Sequence, residues 1–351
     1  MTWAAFMEVA LYDPVDGFYA GERHPASTDG GHFATSPHVS PVFARLLAAM
    51  AAQTYRALGG PDGSILLDVG AGDGTLLRGI ADAGTPAMRP AAVEPSPAGR
   101  RALEAAGFDS YAALADVPPF TGLAIANELF DNVPFHLVRA RASQLVEVAI
   151  AADGDGLRVT EEDPTVPARA AMRRLPLDGE DLPVSPASID LVRALAARLE
   201  RGYAVIIDYG FAGDEPAEPV RGYRAHGYTE DLLSDPGSSD VTGPVDIDAL
   251  ARAARAAGLH AWGPVRQRDA LMTLGYRREL DRMRTAQREA ERAGRWRDAL
   301  AGFGARGEAA MLVDASGLGS LKWLVLGTDG LPEPTITRGN RGRNWGRPML
   351  R

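Results

Sequence analysis

The stretch Ile65 to Leu77, "ILLDVGAGDGTLL", constrains the fold more than any other part of the chain. A buried-strand pattern ends in three alternating glycines and passes straight into a segment with apolar residues at helical spacing. A strand that turns on glycines into a helix builds the mouth of a nucleotide pocket in an α/β protein. The helix offers free N–H groups just beyond the strand's carboxyl end.

The surrounding sequence repeats that alternation. Strand patterns occur at "SILLDVG", "PAAVEP", weakly near Phe108–Tyr111, at "GLAIANEL" and at "YAVIIDYG". Helical patterns fill the gaps, as in "SPAGRRALEAAG". Near-continuous apolar strands alternating with helices indicate a parallel sheet covered on both faces. From 136 to 162 the period changes to two around "DGDG", which reads as a β-hairpin insertion. A helix is expected near Ala187–Arg201, a long loop over 211–244 and a helix at "DIDALARAARAAG". A strand "HAWGPVRQ", a charged helix across 276–300 and a strong strand "SLKWLVLGT" complete the core.

At the N-terminus, "MTWAAFMEVALYDP" reads as a short amphipathic helix, without the basic and apolar regions of a secretory leader. A second helix runs through "SPVFARLLAAMAAQTYRAL", with Ser40 as N-cap and Pro41 at its first position. The Gly/Ser/His/Pro-rich connection "GERHPASTDGGHFATSPHVS" between them is long enough to serve as a lid. The expected organisation has three parts. Residues 1–60 form an N-terminal helical cap with a lid loop, 61–330 a core carrying the hairpin, and 331–351 a basic flexible tail. That tail holds five arginines from Arg338 onward.

Composition removes several function classes. The chain has 351 residues and no apolar run approaching the ~18 of a membrane span. With no cysteine, disulfides, thiolate nucleophiles and cysteine-ligated metals are excluded, and the expected compartment is the cytoplasm. A net charge of −9 disfavours nucleic acid as a main partner. The histidines show no metal-ligand spacing, so no metal is expected. Nothing in the pattern sets an oligomeric state.

Charge also discriminates between nucleotides. A dinucleotide fold wants G-x-G-x-x-G, whereas Gly70, Gly72 and Gly74 are followed by Thr75 at the third dinucleotide position. Asp73 places a carboxylate at the helix mouth, where a pyrophosphate would need a positive field. Like charges about 4 Å apart repel by several kcal/mol in a partly buried site. S-adenosyl-L-methionine has no phosphate and carries a sulfonium and an ammonium, so Asp68 and Asp73 favour it. Glu94, at the end of the second strand, is placed to accept ribose hydroxyls in either cofactor. No Gly-Lys-Ser/Thr follows, which excludes a Walker phosphate loop.

A second constellation, "AIANELFDNVP" from Ala124 to Pro134, closes the fourth strand. Asn127, Glu128 and Asp131 are expected in the crevice of the glycine turn, beyond the strands' carboxyl ends. Two carboxylates three apart suit a guanidinium, whose paired N–H donors match planar acceptors. Asn127 would hold a substrate backbone or the cofactor's methionine end. Asp208 and Tyr209 end the next strand.

On these motifs the chain resembles the MidA-like methyltransferase family. The resemblance runs through roughly residues 5 to 327 and rests on "LYDPVDGFYA", "GHFATSPHVSPVF", "DVGAGDGTLL", "VEPSP" and "NELFDNVP". It also rests on "IIDYGF", "RGYRAHGYTEDLLSDPGSSDVTGPVDIDAL" and "GLGSLKWLVLGT". It implies a class I S-adenosylmethionine-dependent fold, Rossmann-like. The implied activity is similar to that of a protein arginine methyltransferase, with a respiratory complex I subunit as one such protein substrate. Carried over by position, Thr35, Ser36, Pro37, Gly70, Gly72, Gly74 and Glu94 fall on the cofactor side. Glu128 and Asp131 fall on the acidic strand-end motif, and Arg221, His226, Asp240, Thr242 and Asp246 on the later one. His226 or a carboxylate is the candidate base. This chain departs from the family's usual acid at His38, from its Gly-Pro-Gly plus basic residue at Ala71 and Asp73, and from its second aromatic at Leu129. A small-molecule methyltransferase and a cofactor-binding assembly factor with little turnover are the alternatives.

Overall fold

The computed structural model describes residues 1–20, 35–84, 88–142, 144–154, 156–224 and 227–338. His226, most of the lid loop and the arginine tail from 339 onward lie outside the described residues.

In chain order, α1 (Trp3–Tyr12), α2 (Ser36–Val39) and α3 (Pro41–Ala57) lead into β1 (Ile65–Val69). Then come α4 (Thr75–Asp82), β2 (Arg89–Val93), α5 (Pro97–Ala105), β3 (Asp109–Tyr111) and β4 (Phe120–Asn127). The insertion holds β5 (His136–Arg141), β6 (Gln144–Asp153), β7 (Gly156–Glu162), α6 (Val166–Ala171) and β8 (Leu182–Val184). α7 (Pro186–Arg198) returns the chain to β9 (Leu199–Asp208). Five short strands follow: β10 (Gly210–Phe211), β11 (Arg221–Arg224), β12 (Gly227–Thr229), β13 (Asp240–Thr242) and β14 (Val245–Asp246). The C-terminal part is α8 (Ile247–Ala256), β15 (His260–Arg266), α9 (Gln267–Leu274), α10 (Tyr276–Arg292), α11 (Trp296–Met311), β16 (Lys322–Gly327) and α12 (Thr335–Arg338).

The central sheet has the order β15-β16-β9-β4-β1-β2-β3. Strands β3, β2, β1, β4 and β9 are mutually parallel, as the unbroken apolar runs lead one to expect. β16 runs antiparallel to both β9 and β15, so the sheet is mixed. Strand direction is set by the connection, and an apolar run such as "KWLVLG" carries no sign of it. The two faces bury separate apolar layers. Phe43, Leu47, Leu77 and Trp323 belong to one, and Leu67, Phe120, Ile206 and Leu250 to the other. Each such side chain contributes about 1.5–3 kcal/mol by leaving water.

The chain leaves β1 toward β2 on one side and reaches β4 and β9 on the other. The β1–β4 seam is therefore the topological switch point, where ligands bind beyond the strands' carboxyl ends.

The expected hairpin is instead a three-stranded meander, β5-β6-β7, extended by β8 pairing with β5. α1 packs its Trp3, Phe6, Met7 and Leu11 on the inner side of this arm, against Phe135, Leu137 and Ile150. The charged helix expected across 276–300 is two helices. Gly294, at φ 68°, takes a conformation a helix cannot continue through.

Candidate active site

Gly70, Gly72 and Gly74 all adopt positive φ, at 76°, 57° and 77°. Such a turn is open to glycine without steric cost. A Cβ on Gly70 would stand 2.8 Å from Leu129 Cδ1, so the turn packs directly on the end of β4. From the other side the Gly70 and Ala71 amides donate to the Val93 carbonyl at 2.8 and 3.2 Å. Glu94 completes the brace. Its Oε2 accepts the Gly72 amide and its Oε1 the Ser96 amide, both at 2.8 Å. Each oxygen retains lone-pair capacity for a ligand hydroxyl.

These groups wall a cavity of about 380 Å³ at the switch point. Its described lining includes the carboxylates of Asp13, Asp68, Asp73, Glu94 and Glu128, with no lysine or arginine among them. The acids are not equivalent. Asp73 is answered: burial pushes its pKa up, but hydrogen bonds from His38 and Thr75 outweigh burial and hold it well below the ordinary range. His38 Nε2 lies 3.5 Å and Arg78 Nη2 3.9 Å from Asp73 Oδ2. Asp68 is not answered. Its Oδ2 is buried without a hydrogen-bond partner. Burial first, then the charges of Glu94 and Asp73, raise its pKa to about 7.

At the end of β4 the chain turns sharply. Glu128 takes φ 50°, one of two non-glycine residues at positive φ among the described residues. A non-glycine residue there costs of order 1–3 kcal/mol and persists where the surroundings enforce it. Here Glu128 Oε1 accepts the Ser36 amide at 2.9 Å and the Asn127 amide group at 3.0 Å. Burial raises its pKa, and those hydrogen bonds oppose the rise. Asn127 Oδ1 is left buried without a partner on the cavity wall.

The same turn carries Asp131 behind the wall, where it is buried and does not line the cavity. Asp131 Oδ1 has no hydrogen-bond partner. Burial and the neighbouring Asp208 and Asp240 charges push its pKa far up. Asp208 is the knot of the turn. Its Oδ2 accepts the amides of Leu129, Phe130 and Asp131 at 3.1, 2.7 and 3.3 Å, and its Oδ1 that of Tyr209 at 2.8 Å. Burial still raises its pKa to about 8.

Of the residues expected at the cofactor, Thr35, Pro37, Asp68, Gly70, Gly72, Asp73, Glu94 and Asn127 line the cavity. Gly74 serves as the N-cap of α4 and Ser36 is fully buried behind the wall. Ser36 Oγ accepts from Gln267 Nε2 at 3.2 Å, which ties α2 to α9. Glu128 reaches the cavity, and His226 lies outside the described residues. Asp246 caps α8 by accepting the Ala249 amide at 2.9 Å. Arg221 pairs at the surface with Glu218.

Sequence reasoning gave no role to Tyr12, Tyr19 and Asn132, which also line the cavity. The two phenol rings stack at 5.7 Å. Tyr12 donates to the Asn132 carbonyl at 3.1 Å, and Tyr19 donates to Asp240 Oδ1 at 2.9 Å. Asn132 Nδ2 donates to the same Asp240 oxygen at 2.8 Å. The quoted "LYDPVDGFYA" was the available signal, since its two tyrosines bracket an Asp-Pro…Gly turn.

The wall suits a cationic nucleoside ligand. Asp68 and Asn127 line it, and Asp68 Oδ2 and Asn127 Oδ1 are buried without a partner, each at a cost of about 1–3 kcal/mol that a donor would relieve. Turn, volume and glycines fit an adenosyl group, and the surplus of acids opposes a diphosphate.

Comparison with known proteins agrees. Residues 46–265 match the family model of S-adenosyl-L-methionine-dependent methyltransferases. The chain is 28% identical over 318 residues to the mitochondrial protein arginine methyltransferase NDUFAF7 of Xenopus tropicalis, covering 78% of this chain and 72% of that one. It is 29% identical over 307 residues to the Drosophila melanogaster homologue, covering 75% and 69%. A Burkholderia thailandensis structure with bound S-adenosyl-homocysteine shares the fold at a TM-score of 0.81 and 24% identity, over 96% of this chain and 90% of that one. The expected class I Rossmann-like fold is thus established.

One expectation is corrected. The Xenopus and Drosophila relatives are mitochondrial proteins, which contradicts the cytoplasmic assignment. Absence of cysteine marks a lack of disulfides and does not distinguish one reducing compartment from another. No helix among the described residues is long and apolar enough to cross a membrane.

With a family match over more than half its length, on a class I sheet whose switch-point cavity is lined by acids, the chain belongs to the S-adenosyl-L-methionine-dependent methyltransferases.

Proposed function

We propose that this enzyme methylates an arginine side chain of a protein substrate, a respiratory complex I subunit being the foremost candidate. Two things support the reading: the names of the relatives, and the position of Glu128. A glutamate held at φ 50° on the cavity wall, with burial raising its pKa, is the observation that carries it.

The residues that would hold S-adenosyl-L-methionine are the Gly70–Asp73 turn, Asp68, Glu94 and Asn127, with Thr35 and Pro37 closing over them. When bound, it supplies a methyl group already activated on a sulfonium. The protein's own work is positioning and exclusion of water. An arginine guanidinium is protonated at any working pH, so it enters an acidic wall with favourable charge. Glu128, whose Oε1 is occupied by Ser36 and Asn127, orients the guanidinium through Oε2 and takes the proton that the methylated nitrogen gives up. A raised pKa makes it a better base than an ordinary carboxylate. Tyr12 and Tyr19 form the apolar flank that keeps water out. α1 and α2, both from the first 60 residues, act as the cap over the site, whereas Leu331 and Ile336 are buried in the core, so residues 331–338 belong to the body of the domain and not to the expected tail.

Transfer of labelled methyl from S-adenosyl-L-methionine into a mitochondrial lysate tests this. The expected result is label in a protein band that yields methylarginine on hydrolysis and is lost in Glu128→Gln. Label confined to the small-molecule fraction would mean a metabolite substrate. No label despite intact cofactor binding would mean an assembly role without turnover.

A further inference from the structure

α11 carries an apolar stripe that is largely open among the described residues, with the Arg306 guanidinium lying over Phe303, 5.5 Å from its ring centroid. Trp296, Leu300, Phe303 and Met311 are 69%, 73%, 63% and 53% exposed, at the start, middle and end of one helix. Their spacings place them on one face, and Gly304 and Gly307 fall within the same stripe. The opposite face is the one used internally. Ala299 and Ala309 are buried, and Tyr276 of α10 donates to the Ala309 carbonyl at 2.8 Å.

The two glycines are the informative residues. Glycine inside a helix destabilises it relative to alanine, so its presence there asks for a reason. Packing within the chain gives none, because a Cβ on Gly304 or Gly307 would meet nothing within 4 Å. A close approach from outside supplies the reason.

We infer that this face pairs with the same face of a second copy of the chain, the two α11 helices running antiparallel about a two-fold axis between Phe303 and Gly304. That axis fixes the register, since each residue lies as far from the centre as its opposite number. Phe303 meets Gly304 of the copy, Leu300 meets Gly307, and Trp296 meets Met311. Two of the large side chains thus enter notches left by missing side chains, and the third lies along a flexible thioether. The charges agree with the register. Arg297 and Glu308 lie on one flank of the stripe, and neither has an ion-pair partner among the described residues. In the antiparallel pair Arg297 of each copy stands within one helical turn of Glu308 of the other. A partner of single charge sign would gain from one of these residues and lose from the other. A self-paired helix satisfies both, as an isologous two-fold contact requires.

Sedimentation velocity of the full chain across the micromolar range tests the pairing. S-adenosyl-homocysteine binding by each variant serves as the check that the fold is intact. The wild type is expected to sediment as a dimer and Leu300→Glu as a monomer with cofactor binding unchanged. Gly304→Leu is expected to weaken the dimer while raising the melting temperature of dilute protein, because it fills the notch yet favours the helix. Arg297→Glu and Glu308→Arg should each weaken association several-fold, and the double reversal should restore it. A monomeric wild type, a dimer that survives Leu300→Glu, or a double reversal no better than the singles would overturn the inference.

Discussion

His38 Nε2 stands 3.5 Å from Asp73 Oδ2, joining the short helix α2 to the glycine turn. Thr35 Oγ1, 2.8 Å from His38 Nδ1, holds the ring in place. These are two of the positions at which the chain departs from the family resemblance, an acid being usual at the first and a basic residue at the second. The departures face each other. A consequence for the cavity is that Asp73 has its charge answered within the protein, while Asp68 keeps a buried oxygen without a partner.

A double-mutant cycle on His38→Ala and Asp73→Ala should give a coupling of about 0.5–1 kcal/mol in urea unfolding, typical of a partly buried pair. Because Asp73 has a depressed folded-state pKa, its contribution is present at neutral pH. It fades as pH falls through the ordinary carboxylate value near 3.8 and below. A coupling that persists undiminished in strong acid would contradict the pairing.

Asp68 has its pKa raised to about 7 by burial and by the Glu94 and Asp73 charges. In the ligand-free protein it therefore favours folding most below its unfolded pKa, and that contribution is lost as pH rises toward 7. A cationic ligand favours the ionised form, so its binding should release a proton and tighten between pH 6 and 8. Calorimetry in buffers of different ionisation enthalpy reads the proton directly. Asp68→Asn should abolish the release.

For Glu128→Gln, the expected loss is about 10²-fold or more in kcat, with cofactor affinity little changed. The acid limb of the wild-type rate profile should lie above the ordinary glutamate range, matching the raised pKa. Equal kcat for wild type and variant would remove Glu128 from the chemistry.

Asp208 accepts three backbone amides of the turn after β4 and that of Tyr209 at the end of its own strand. Asp208→Ala leaves these donors unsatisfied and should cost about 3 kcal/mol or more in urea unfolding. Asp208→Asn keeps an acceptor and should cost less. An unperturbed midpoint in the alanine variant would show that the turn is held elsewhere.

Much of the frame was legible because it is local. The strand-turn-helix at Ile65–Leu77 and the acid at Glu94 follow from periodicity and glycine placement over short spans. The Ser40 cap, whose Oγ accepts the Val42 amide at 3.4 Å, follows in the same way. Spacing suggested that Glu128 and Asp131 share a crevice, but the positive φ at Glu128 sends the next turn inward and buries Asp131. Tyr12, Tyr19, Asn132 and Asp240 meet across more than 200 residues of sequence, and no pattern in a single chain announces such a meeting. Nor does the antiparallel direction of β16 show in its composition.

The central claim is that unpaired acceptors at the switch point select a cationic methyl donor over a phosphorylated dinucleotide. Calorimetric titration of S-adenosyl-L-methionine and of NADH into wild type and Asp68→Asn tests it most directly. The account requires binding of the sulfonium compound, no measurable binding of NADH, and a loss of about tenfold in affinity in the variant. NADH binding at the same site, or an Asp68→Asn protein that binds the sulfonium compound as tightly as wild type, would contradict it.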